Sequence, residues 1–169
     1  PLHHLTGILR ELLTENVPIS DLKRILEELA NMSDRNLSIT DSAEILRPAL
    51  SGLLIQQVAP LNSTLPVITL DAELEQMLIT TYRQQNESDL IIDTGLAQQI
   101  LGEINAVNEK LASEGRQPVI VVSPFIRRAF SKLVRQNIED VHVLSFKELP
   151  DSRKIEVFAS IGNTNQETE

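Results

Sequence analysis

Any chemistry in this chain must come from three histidines, scattered carboxylates and hydroxyls, and one cluster of cations, because none of the 169 residues is a cysteine. Disulfides, thiolate zinc sites and thiol nucleophiles are excluded, and a reducing compartment, the cytoplasm by default, is the expected setting. His3 and His4 are adjacent, which on a helix turns them about 100° apart and opposes their sharing one metal, and His142 lies far away in the sequence. No metal site is expected. Ser145 stands three residues after His142, on opposite faces of a strand, so no Ser–His nucleophile is implied. Glu11 with Glu15, and Asp71 with Glu75, have the i, i+4 spacing of an acid/base pair on a helix. Neither has a convergent third group, and solvated helix faces are the expected reading. Ser123-Pro124 could open a helix whose first N–H groups face an anion. The chain has no Gly-rich phosphate loop, so Ser123 reads as a simple cap. One cluster remains: Arg127, Arg128, Lys132 and Arg135. It reads either as a solvated face that complements acidic neighbours or as a docking surface for an acidic partner or a further subunit. No catalytic residue and no cofactor is expected.

Charge distribution sets that cluster apart. The chain carries a net −9, which disfavours attraction to nucleic acid or an anionic membrane except through a local patch. Residues 1–114 hold 7 Lys/Arg against 17 Asp/Glu, whereas residues 115–160 hold 8 against 5, giving −10 and +3. Aromatic residues make up only 3%, too few for a stacking platform. No apolar run approaches the ~20 residues of a membrane span, and PLHHLTGILRELL lacks the basic flank and cleavage site of a signal peptide, so these residues are expected to be soluble.

The elements that would position the cluster follow from periodicity. Leu5, Ile8, Leu9, Leu12 and Leu13 predict a helix that stops before Val17-Pro18. Ser20 then caps a second helix with Leu22, Ile25, Leu26 and Leu29 on its buried face. Asp41 and Glu44 resemble a capping box for a third, which Pro48 should divide into two pieces around Arg47. A Pro- and Asn-containing stretch, Ala59 to Pro66, reads as the linker between subdomains. Beyond it, Val67–Leu70 and Leu90–Ile92 read as strands, each followed by a helix, the first capped by Asp71 and the second opened by Thr94 and ended by Gly115. Val119–Val122 is a third strand, and a helix starting at Ser123-Pro124 buries Ile126, Phe130, Leu133 and Val134. The last two strands, near Val141–Leu144 and Ile155–Ile161, have no full helix between them and are expected to be antiparallel. The expected fold class is therefore α+β, a small helical, winged-helix-like subdomain followed by an α/β subdomain with a mixed sheet. The boundaries are 1–62, incomplete at its N-terminus, 63–162, and a disordered tail, 163–169. A winged-helix nucleic-acid-binding regulator is the alternative, but Asp21, Glu27 and Glu28 on the second helix make a poor phosphate-facing surface.

Three blocks carry a resemblance: LRELLTENVPISDLKRILEEL from Leu9, LPVITLDAELEQML from Leu65, and PVIVVSPFIRRAFSKLVRQNIEDVHVLSFKELPDSRKIEVFASIG from Pro118. In order and spacing they resemble the cytoplasmic C-terminal region of the inner-membrane export-gate (FHIPEP) family of flagellar and type III secretion systems. The ending VLSFKELPDSRKI is similar to the flagellar branch. The resemblance implies most of the third and all of the fourth of the cytoplasmic subdomains, at the cytoplasmic face of the bacterial inner membrane, with the membrane reached only through an N-terminal domain. It implies a non-enzymatic docking and ring-forming module, and as partners export chaperone–substrate complexes, the stalk protein of the export ATPase and neighbouring subunits of a nonameric homo-oligomeric ring. Nucleic acid is not among them. The family's main chaperone-docking surface lies in the first two subdomains, so its residues find no counterpart here. Arg127, Arg128, Lys132 and Arg135 fall in the fourth subdomain, where the stalk or a ring neighbour docks. Pro48 and the polar tail depart from the family pattern without an assigned role.

Overall fold

A computed structural model of the protein describes residues 1–162; the disorder expected for residues 163–169 lies outside the described residues. The chain divides into two compact units, Pro1–Pro60 together with Glu148–Asp151, and Leu61–Lys147 together with the chain from Ser152 onward. The first unit thus takes four residues from the stretch expected to belong to the second.

The first unit is helical. Helix α1 (Leu2–Thr14), helix α2 (Leu22–Asn31), a single 3-10 turn (Ser33–Arg35) and helix α3 (Ile39–Val58) follow in order, with no strand among the described residues. Helix α1 ends as its sequence requires. Asn16 takes φ +55°, its N–H bonds the carbonyl of Leu13, and the N–H of Val17 bonds that of Leu12 while its side chain is buried. Helix α2 is capped one residue later than expected, by Asp21, whose carboxylate accepts the N–H of Arg24 at 3.2 Å. Of its expected buried face only Ile25 is fully enclosed; Leu22 and Leu26 are exposed. Helix α3 starts earlier than the expected capping box. Ser38 Oγ accepts the N–H of Asp41 at 3.0 Å and donates to its carboxylate at 2.6 Å. The helix runs unbroken past Pro48, against the expectation of two pieces. A proline inside a helix costs about 3 kcal/mol in the lost N–H and ring crowding. Here Leu46, Leu50, Leu54 and Ile55 are all but fully buried, and each such side chain returns about 1.5–3 kcal/mol. Burial wins, and Pro48 itself faces solvent.

Among those buried side chains is a charge. Arg47, 4% exposed, meets Glu148 at 2.8 Å and Glu15 at 3.6 Å, and the two carboxylates are 2% and 12% exposed. Glu148 thereby ties residues 148–151 to this unit.

The second unit is built on four strands: β1 (Leu65–Leu70), β2 (Val119–Val122), β3 (His142–Ser145) and β4 (Ile155–Ile161), in the order β3-β2-β1-β4. Every pairing is parallel, which corrects both the mixed sheet and the antiparallel final pair. Strands β3 and β4 never meet; they occupy opposite edges. A hairpin needs a tight turn, but the chain leaves β3 through a second 3-10 turn (Phe146–Glu148) and the Glu148–Asp151 segment, then re-enters the sheet in the same direction. Strands β1 and β2 are apolar on both faces, as parallel strands with two buried faces must be. Ile68, Leu70, Ile120, Val122 and Val143 enter one core with helix α4 (Ala72–Gln84), helix α5 (Thr94–Ser113) and helix α6 (Arg127–Arg135). Helix α5 closes on Gly115 at φ +70°, where only a residue without Cβ sits at no steric cost. Edge strand β4 bulges at Phe158: Val67 faces Val157 but Ile68 faces Ala159. On this strand Glu156 is held by Arg116 at 2.9 Å and Phe158 lies beneath Lys110 at 5.5 Å, while Val157 stands 63% exposed.

The expected strand Leu90–Ile92 is not a strand. Its sequence has the right types, but its middle residue is held by a side chain. Gln85 Nε2 donates to the carbonyl of Ile91 at 2.6 Å, and the N–H of Ile91 donates to Gln85 Oε1 at 2.8 Å. One amide does what a neighbouring strand would do.

Candidate functional site

Helix α6 lies between β2 and β3 in sequence, and its start decides where each cation points. The chain makes a turn first: the N–H of Ile126 bonds the Ser123 carbonyl at 3.2 Å, and the helix begins at Arg127, three residues after the expected proline start. Ser123 Oγ accepts the N–H of Phe125 at 3.3 Å, while the N–H of Ser123 donates to the Glu75 carboxylate at 3.1 Å. The amides that could have held an anion are thus occupied by a hydroxyl and a carboxylate. Glu75 is half-buried, and burial raises its pKa above 4.5, opposed by the bond from Ser123.

Ile126, Phe130 and Val134 enter the core. Arg127 joins them. It is the largest fully buried side chain, and its guanidinium donates to the Val143 carbonyl of β3 at 3.0 Å. The structure therefore takes Arg127 out of the expected surface cluster and makes it a brace between helix and sheet, because a buried guanidinium must satisfy its donors internally. Arg128 and Lys132 are exposed and Arg135 half-buried. Lys132 meets Asp89 at 3.0 Å, and Arg135 Nε donates to Ser131 Oγ at 3.2 Å. Both partners of the Lys132–Asp89 pair are about half exposed, so it contributes only ~0–1 kcal/mol and can be exchanged for another carboxylate.

Two features beside α6 had no sequence signal. The first is Phe125, 63% exposed with Arg83 over its ring at 5.3 Å. The second is the 85–92 loop with Gln85, Asp89 and Ile91. There Asn86, after the end of α4, takes φ +58° and donates its N–H to the Arg83 carbonyl at 3.2 Å. The histidines behave otherwise. His3 is exposed and His4 half-buried on α1, whereas His142 sits on β3, and among the described residues no group of three or more His, Asp or Glu is arranged to hold a metal ion. Ser145 is buried on the same strand as His142, and Glu11 and Glu15 lie on and just after α1.

A model of the FHIPEP family matches residues 1–154. The flagellar biosynthesis protein FlhA of Salmonella typhimurium is 32% identical over 158 residues, 94% of this chain and 22% of that protein. The low calcium response locus protein D of Yersinia pestis is 26% identical over 162 residues. Among solved structures, the nonameric SctV-C of EPEC, determined by cryo-EM, has a TM-score of 0.78 at 26% identity, covering 94% of this chain and 48% of that one. The Chlamydia pneumoniae CdsV and CdsO protein complex gives 0.81 at 25% identity, covering 95% and 47%. The chain spans 22% of the length of that FlhA.

Proposed function

The chain belongs to the FHIPEP family, and from that premise we propose that it is a docking and ring-forming part of the cytoplasmic domain of a flagellar type III export gate. The observation that carries the reading is the match along residues 1–154, supported by a fold shared with a domain solved as a nonameric ring. Its work is assembly and recognition rather than catalysis. It stands at the cytoplasmic face of the bacterial inner membrane; among the described residues no helix is long and apolar enough to cross a membrane, so any anchor lies elsewhere. Neighbouring copies complete the ring, and export chaperone–substrate complexes and the ATPase stalk are its visitors. The similar protein CdsV is solved in complex with the CdsO protein, which supports a protein partner for the domain to which this chain belongs.

The cations of α6 at the surface, Arg128, Lys132 and the half-buried Arg135, are the contact we assign to a partner or a ring neighbour, with Arg127 holding the helix in place from beneath. Calorimetry with the stalk protein and the chaperone–substrate complexes of the same system tests it. Arg128→Glu with Lys132→Glu should weaken at least one interaction by tenfold or more; unchanged affinity across the whole set discards the basic face as the contact. Ring formation is measured separately, by sedimentation of the complete cytoplasmic domain.

A further inference from the structure

We draw no further inference here: the strongest candidate, the apolar groove of the helical unit lined by Leu2, Leu5 and Ile8 of α1, Leu26 and Leu29 of α2 and the Met32 that follows, is an unpartnered face, and nothing in the structure shows what covers it.

Discussion

Arg47 carries a full charge where almost no water reaches it, answered by Glu148 at 2.8 Å and Glu15 at 3.6 Å. Such a pair contributes little relative to a well-packed apolar one, but breaking it strands a buried ion. Glu148→Gln should cost about 3–5 kcal/mol in urea unfolding, whereas Arg47→Met with Glu148→Leu and Glu15→Gln, which leaves no buried ion behind, should come out near neutral or more stable. A large loss in the triple variant would mean that the charged group is net stabilising. Glu75 has the opposite relation to its charge. Burial holds its carboxyl above 4.5, so ionising it is harder in the fold than in the unfolded chain. The contribution is therefore favourable below pH 4.5 and lost as pH rises through the folded value. Glu75→Gln cannot ionise and still offers an oxygen to the Ser123 N–H, so it should unfold at equal or higher urea than the parent at pH 7, with the gain vanishing near pH 4. Lower stability at pH 7 would show that the charged hydrogen bond dominates. The candidate site was half legible at this scale. Arg128, Lys132 and Arg135 declare themselves by charge and spacing, but Arg127 reads as their neighbour because a helical wheel cannot foresee a carbonyl of β3 waiting beneath it.

Helix α3 shows how far packing overrides local preference. Pro48 is exposed and removes one N–H from the ladder, so Pro48→Ala should recover about 3 kcal/mol of helix propensity less about 1 kcal/mol for the freer unfolded chain, roughly 2 kcal/mol net. Thermal unfolding checks it; a fall in stability would mean that the proline ring itself packs. The same competition explains what could be read in advance. Strands β1 and β2 were legible because their β-branched runs leave few alternatives, and α1, α4 and α5 because Val17-Pro18, Asp71 and Gly115 mark an end of each. Residues 90–92 have strand composition too, but the Gln85 amide reaches them first, and no spacing rule announces a side chain that imitates a strand. The direction of β4 was hidden for a different reason. Which edge a strand joins depends on where the chain travels between Ser145 and Ile155, and that detour is settled by Glu148 finding Arg47, 101 residues away.

That detour makes the helical unit discontinuous: Pro1–Pro60 is completed by Glu148–Asp151. A fragment ending at Pro60 would keep Arg47 but lose the closer of its two carboxylates. In such a fragment Arg47→Met should raise the melting temperature, whereas in the whole chain the same substitution should lower it by leaving Glu148 buried without its cation. Circular dichroism melts of the four proteins test the reversal of sign; the same sign in both would mean that Glu15 alone suffices. Units whose residues are contiguous can be shuffled between relatives as cassettes, by recombination or in the laboratory, with a single pair of crossover points. This one cannot. A hybrid that takes residues 1–60 from one relative and the rest from another inherits its arginine and its glutamate from different parents, so the two must change in step, and four residues of a strand-to-strand connection are bound to the ancestry of a helix they do not adjoin in sequence.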